Sequence, residues 1–459
     1  MSDASSPVWE LRSLREVVTK LVDGSHNPPP KQDTGLPMLS ARNIDGGQVL
    51  FDDYRLISES AFATEHARTR IAPGDVLLTI VGTIGRTAVV PDGSRPFSLQ
   101  RSVAVLTPSA NLLPKFLCYQ LESPAIQRHF EANARGTAQK GVYLKTLGQT
   151  PVVLPPVDVQ REIVAELEKQ FSRLDEAVAN LQRVKANLKR YKASVLKAAV
   201  EGRLVETEAS LARREGRTFE TGEQLLQRIL EERRAKWAGR GKYKDPDAVN
   251  QAELAGLPDG WTWVSVDSIA FVTKLAGFEY TKYVTYADDG DLAVLKAENA
   301  GPDGFRRTEY SRVHSDSVST LTRSRVEAGD LLMVFVGAGT GNVACTPNDQ
   351  QYFLGPNIAM IRVDPANVSS PYVEMFLRSP TGKNLALGLT KAVAQPSLSM
   401  GNIRMIPVAL PPIGEQTRIV AEVDRHLSII REVEAEVDAN LQRAQALRQA
   451  TLTKAFVHS

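Results

Sequence analysis

Two stretches of this chain carry residue types that could act chemically on a nucleobase. Asn27-Pro28-Pro29-Pro30 offers a polar side chain and a stiff backbone of the kind that holds an amine for methylation. That chemistry needs an aromatic ring in the fourth place to stack on an extruded base, and Pro30 has no π face. Phe335-Val336-Gly337-Ala338-Gly339 has the glycine spacing of a turn that cradles S-adenosylmethionine. Such a turn must lead into a helix, whereas Asn342-Val343-Ala344-Cys345-Thr346-Pro347 reads as a strand and a turn. The two stretches also lie in opposite halves of the chain, so hairpin geometry explains the second better than catalysis does. There is no Gly-x-x-x-x-Gly-Lys-Ser/Thr loop, which argues against nucleotide hydrolysis. The six histidines are scattered without metal-ligand spacing. Cys118 and Cys345, the only two cysteines, exclude a disulfide framework or a cysteine-rich zinc site and fit a reducing cytosol. Neither a reaction centre nor a bound metal is expected.

The elements that would position any site are better marked. Pro155-Pro156-Val157-Asp158-Val159-Gln160-Arg161-Glu162-Ile163-Val164-Ala165-Glu166-Leu167 returns 256 residues later as Pro411-Pro412-Ile413-Gly414-Glu415-Gln416-Thr417-Arg418-Ile419-Val420-Ala421-Glu422-Val423. The double proline fixes an extended entry. Apolar residues then recur at heptad spacing: Leu167, Phe171, Leu174, Val178 and Leu181 in the first copy, Val423, Leu427, Ile430, Val437 and Leu441 in the second. Lys185 and Lys192 interrupt the first seam, and Glu434 and Arg448 the second. A helix of this length, roughly 65 Å at about 1.5 Å per residue, needs an equally long partner, and each copy is expected to be the other's.

The globular regions repeat as well. Residues 1–154 read as a β-rich region of mixed type, with a turn, a strand and a glycine-bracketed hairpin tip over Arg70–Arg86, further strands near Ser98–Leu106 and Thr150–Leu154, and one short helix over Pro114–Arg128. Residues 259–410 follow the same plan. Gly74-Asp75 answers to Gly329-Asp330, Gly82 and Gly85 to Gly337 and Gly341, Trp9 to Trp263, Pro114 to Pro371 and Gln139 to Gln395. Residues 203–258 form a charged linker with one helix from Gly222 to Trp237, opened by a Thr221/Gln224 capping box. The expected organisation is therefore a first domain (1–154), a spacer helix (155–202), the linker (203–258), a second domain (259–410) and a second spacer helix (411–459). The fold class is mixed α/β: two β-rich domains in tandem, each followed by a long helix, with the helices forming an antiparallel coiled coil about a pseudo-twofold. The bulk numbers are those of an ordinary globular chain, with 55 basic against 53 acidic residues and a net charge of +2, so any nucleic-acid footprint must be local. No run of about 18 apolar residues suggests a membrane span, Met1–Arg12 has no signal-peptide pattern, and a cytoplasmic location is expected.

In its order of motifs the whole chain resembles the specificity subunit of type I restriction–modification systems. The resemblance rests on Asp23-Gly24-Ser25-His26 with Pro28-Pro29, the Gly-Asp strands with glycine tips, Gly136-Thr137-Ala138-Gln139, the two Pro-Pro helices, and Leu257-Pro258-Asp259-Gly260-Trp261. It implies two target-recognition domains, each reading half of a bipartite site in double-stranded DNA. It further implies two modification subunits carrying S-adenosylmethionine, which methylate adenine, and restriction subunits that use ATP. The chain itself would then be non-catalytic and hold no cofactor. Side chains able to reach base edges are Lys31, Arg42, Thr83, Arg86, Arg101, Lys140 and Tyr143 in the first domain, and Lys282, Lys296, Arg306, Arg307, Asn342 and Lys391 in the second. The alternatives are the specificity subunit of a fused type II-like enzyme and a coiled-coil adaptor that does not read DNA.

Overall fold

The computed structural model describes residues 9–136, 139–239, 241–390 and 397–456. Thr137, Ala138, Lys391 and Gln395, all used in the sequence reading, lie outside the described residues. The chain divides into two compact units, Met1–Val184 with Glu436–Ser459, and Lys185–Ala435.

In the first unit a four-stranded sheet runs Val18–Asp23, Val103–Pro108, Val76–Thr79, Thr87–Val89, every neighbour antiparallel. Val76, Leu77, Leu78 and Thr79 are all buried, because both faces of this sheet are covered. One face packs on the helix Pro114–Leu121 through Phe116 and Leu117. The other meets Leu39, Ile44 and Leu99, around a second sheet ordered Arg55–Ile57, Leu36–Leu39, Ser98–Leu99. The second unit repeats the plan: Ala270–Lys274, Ile358–Val363, Leu331–Val334, Val343–Cys345, and beside it Arg312–Val313, Leu292–Leu295, Tyr352–Leu354, Arg325–Val326. The hairpin tips match too. Gly82 and Gly85 have φ of 82° and 93°, Gly337 and Gly341 of 103° and 85°, so each tip needs residues without a Cβ in these places.

The Gly-Asp repeat has a physical reason. Asp75 is buried, accepts the Ala72 amide at 2.9 Å and pairs with Lys20 at 2.8 Å. Asp330 is likewise buried, accepts the Glu327 amide at 2.7 Å and pairs with Arg362 at 2.6 Å. The cation arrives from different strands. Strand register equates Lys20 with Phe271 and Thr107 with Arg362, so the second unit moved its cation from the edge strand to the central one.

Four sequence expectations are corrected. Ser13 pairs with Pro151 and Ser265 with Pro407, which aligns Trp9 with Trp261 and sets Leu11 against Trp263. The two tryptophans of Trp261-Thr262-Trp263 are two residues apart and share a strand face, so sequence spacing could not separate them. The expected helix over Pro114–Arg128 is two helices, Pro114–Leu121 and Pro124–Asn133. Ser123, extended with ψ of 146° as a residue before proline prefers, breaks them. The same step at Ser379-Pro380 places Pro114 against Ser370 rather than Pro371. The linker holds a helix that was not anticipated, Glu208–Glu215, capped by Thr207 and closed by left-handed Gly216. The expected one spans Gly222–Ala235 with its Thr221/Gln224 box.

The spacer helices are Val157–Val200 and Ile413–Phe456, 44 residues each. In the first unit Leu167 and Phe171 share a core with Leu452 and Phe456. In the second, Val195 and Ala199 share one with Ile419 and Val423. In each unit the start of one helix meets the end of the other, which is an antiparallel pairing. The remaining seam residues are buried (Ile430, Val437) or half-buried (Leu174, Val178, Leu181, Leu427, Leu441). Among the interrupting charges, Lys192 binds Asp303 at 2.6 Å, and Arg448 lies 4.1 Å from the Phe171 ring centre and 3.3 Å from Asp175. The repeated glutamine locks each helix to its domain. Gln160 donates to the Asn111 and Pro155 carbonyls and accepts the Leu113 amide, all at 2.8 Å. Gln416 makes the matching bonds to Ser369 and Pro411 at 2.9 Å.

Candidate nucleic-acid interface

In the first unit four turns converge on an open polar cleft of about 560 Å³. They are the Asp23–His26 stretch, the turn Ala41–Asn43, the glycine tip at Gly82, and the turn Gln100–Ser102. Backbone bonds tie them together: Ser25 to Leu99 at 2.8 Å, Arg101 to Ser25 at 2.9 Å, Gln100 to Leu39 at 2.8 Å and Gly82 to Lys140 at 3.1 Å. A Cβ on Gly24 would run into the carbonyl oxygens of Leu99 and Gln100, so this crossing needs glycine. The cleft exposes Arg42, Thr83, Arg101, His26, Gln100 and Gln139, a mixture of donors and acceptors suited to groove edges and phosphates.

Asp23-Gly24-Ser25-His26 is thereby explained. Asp23 accepts from His26 at 2.7 Å and from Arg68 at 2.8 Å, and Arg68 also caps the Gly24 carbonyl at 2.7 Å. Buried Ser25 donates to Glu65 at 2.7 Å. The helix Glu59–Thr69, started by Ser58, carries both Glu65 and Arg68 and so braces the loop that presents His26.

Of the sequence candidates, Arg42, Thr83 and Arg101 come together here. Arg42 is tethered by Asp53 at 2.6 Å, while among the described residues none binds the Arg101 side chain. Arg86 lies elsewhere, paired with Asp45 at 3.4 Å beside Arg448 in a separate cleft of the same unit. Lys31, Lys140 and Tyr143 are exposed and do not line the polar cleft; Tyr143 is 58 % exposed. His26 and Gln139 stood in quoted motifs yet were not taken as site residues. The missing signal was three-dimensional, since the loops that bring them together are far apart in sequence.

The second unit furnishes the same frame differently. Strand register sets Lys274 where Asp23 stands, and Lys274 lies 5.2 Å from the Phe335 ring centre. Lys296 donates to Ser311 at 2.7 Å and lies 5.0 Å from the Tyr286 ring centre; Lys282 lies 5.0 Å from that of Tyr283. Tyr280 and Tyr286 touch through their hydroxyls at 3.2 Å, and burial with that bond pushes the Tyr286 phenol above its usual range. Phe278, on the same helix as Tyr280, is 72 % exposed. Arg306 lies against Gly301 in its own hairpin, and Arg307 is held by Asp349 at 2.8 Å. Asn342 belongs to the glycine tip, its amide bound to Gly339 at 2.8 Å. This unit therefore sets lysines beside aromatic rings at positions where the first unit's cleft carries other side chains.

Among the described residues no group of three His, Cys, Asp or Glu could hold a metal, and no helix is long and apolar enough to cross a membrane. Burial pushes the Cys118 and Cys345 thiols up to about 12, far from a reactive thiolate.

Fold and site together define a duplicated recognition protein: one frame used twice, differently furnished, each copy locked to a spacer helix. The type I restriction modification DNA specificity domain matches residues 9–189 and again 258–442. The chain belongs to that family. It is 28 % identical to the type I restriction enzyme EcoBI specificity subunit of Escherichia coli over 51 % of this chain, and spans 49 % of that protein. It is 23 % identical to the EcoKI specificity subunit of Escherichia coli strain K12, over 93 % of this chain and 82 % of that one. A solved chain described for complex assembly and conformational transition of the type I R-M system has the same fold, with a TM-score of 0.64 at 20 % identity over 98 % of both chains. The HsdS subunit from Thermoanaerobacter tengcongensis matches over 98 % of this chain and 97 % of its own, at 19 % identity and a TM-score of 0.49.

Proposed function

We propose that this chain is the DNA sequence-specificity subunit of a type I restriction–modification enzyme. Each recognition domain reads one half of a bipartite duplex target. Two modification subunits, supplying S-adenosylmethionine and adenine methylation, and ATP-dependent restriction subunits assemble on it, and the chain performs no chemistry of its own. The observation that carries this reading is one frame with two different furnishings, Asp23 with His26 and Arg101 in one domain and Lys274, Lys296 and Tyr286 in the other. Duplication of the frame suits the strand symmetry of DNA and the docking of paired subunits.

Methylome sequencing of a host that expresses this chain with its modification subunit tests it. A single two-part motif with a fixed unread gap is expected. Methylation without such a motif, or methyl transfer by the purified chain alone, overturns the reading. An adaptor that does not touch DNA would show no salt-dependent duplex binding even with partners present.

A further inference from the structure

Among the described residues the most exposed large apolar side chain is Phe278, on the helix Gly277–Tyr283 of the second unit. An aromatic ring held in water gains by leaving it. The helix that carries the ring is braced from below. Tyr280 and Tyr283, three apart and so on one face, pack on the core formed by Leu275, Leu292, Val294 and Phe353. Buried Glu279 accepts the Ala276 amide at 3.0 Å and pairs with Arg323 at 2.6 Å. Phe278 and Lys282, four apart, share the other, exposed face. The ring is thus presented by a short helix that the core and an ion pair hold in place.

Its place in the duplicated frame points to DNA. Asn27 and Phe278 each stand four residues beyond the end of equivalent edge strands, Val18–Asp23 and Ala270–Lys274. In the first unit His26 and Pro28, the neighbours of Asn27, line the polar cleft together with Ser40 and Val81. Ser40 answers to Lys296, each preceding a one-turn helix whose last residue is a buried asparagine. Val81 answers to exposed Val336, each two residues past the strand that follows the Gly-Asp turn. A place that is polar in the first domain is therefore aromatic in the second. The segments around it supply Lys274, Lys282 and Lys296, cations suited to the phosphates of a duplex.

We propose that Phe278 is a wedge that enters between two stacked base pairs of the half-site read by the second domain and pries that step open. The proposal rests on the specificity-subunit reading. Apolar side chains inserted in this way unstack and kink a duplex. The cost depends on how easily the step deforms, so a wedge discriminates among sequences without a hydrogen bond to any base. Bracing of the helix through Glu279, Tyr280 and Tyr283 keeps the ring from folding back when it meets the stack. The first domain, with Asn27 in the corresponding place, reads its half-site without such a wedge.

The test uses the full chain assembled with its modification subunit, on duplexes of the motif found in the methylome. These carry 2-aminopurine at successive steps away from the methylated adenines and their neighbours. Binding is expected to raise the fluorescence at a single step, in one half-site and not the other. Phe278→Ala should abolish that rise and weaken cognate binding about tenfold or more, with little change on other duplexes. Phe278→Leu, still apolar, should keep most of the rise. The side chain is exposed, so thermal unfolding of the chain should not change. Phe278→Ala with wild-type fluorescence and cognate affinity overturns the proposal while leaving the specificity-subunit reading intact. A loss of modification-subunit assembly with duplex binding unchanged assigns the ring to a protein contact and also overturns it. A wild-type complex that yields no two-part motif removes both readings.

Discussion

Arg101 and Arg42 share a cleft, but only Arg42 is tethered, by Asp53. A guanidinium that need not first break an ion pair can align its fork on a base edge, so we propose Arg101 as the base contact of this cleft. Arg101→Ala is expected to cost about 1–3 kcal/mol on the cognate duplex and little on others. An equal loss on every duplex, with a shallower salt dependence, would instead make Arg101 a phosphate contact. The buried acids give a second prediction. Lys20→Phe copies the second unit's edge strand and leaves Asp75 without its cation, at a cost of about 3 kcal/mol. Adding Thr107→Arg supplies the cation from the central strand, as Arg362 does for Asp330, and should restore at least half of that stability in urea unfolding. No recovery in the double variant would show that the two arrangements are not interchangeable.

At the scale of elements, the Pro-Pro-x-x-x-Gln repeat was legible as a helix start but its glutamine was not legible as a clamp. Periodicity reports which residues face a core, and Gln160 and Gln416 are buried polar residues whose bonding, to three backbone groups and to two, only the fold reveals. Gln160→Leu strands the Leu113 amide and two carbonyls and should cost roughly 2–4 kcal/mol, seen as a lowered urea midpoint with faster amide exchange at the start of the first spacer helix. The linker's docking on the second domain, whose core Leu225 and Ile229 join, was also hidden, because its charge density reads as solvated. Burial raises the Glu208 carboxyl, but Arg217 and Arg418 outweigh it and hold the group below its usual range. A carboxylate whose folded value is depressed stabilises the fold above its unfolded pKa, about 4.3, and loses that contribution as pH falls through the lower folded value. The stability difference between wild type and Glu208→Gln should therefore be full near neutrality and shrink below about pH 4. A difference that stays constant down to the acid limit would separate docking from these ion pairs.

At the scale of the molecule, duplication was legible because a shared frame constrains glycines, prolines and apolar spacing. The furnishing was not, because each reading surface draws single residues from several loops. Both spacer helices run through the division between the units at Val184 and Glu436 without interruption. Phe171 meets Arg448 on one side of that division and Tyr191 meets His426 on the other, an antiparallel count that sets Leu181 against the Val437 region. Four residues inserted after Leu181, matched by four after Val437, would add about one helical turn, near 6 Å, while keeping the apolar stripe almost in phase. DNA rises about 3.4 Å per base pair, so the unread gap between half-sites should lengthen by one or two base pairs with both half-sites unchanged. The methylome of a host carrying the lengthened chain would reveal it. An unaltered gap in a folded, active variant would mean that the length of the paired helices does not set the unread gap.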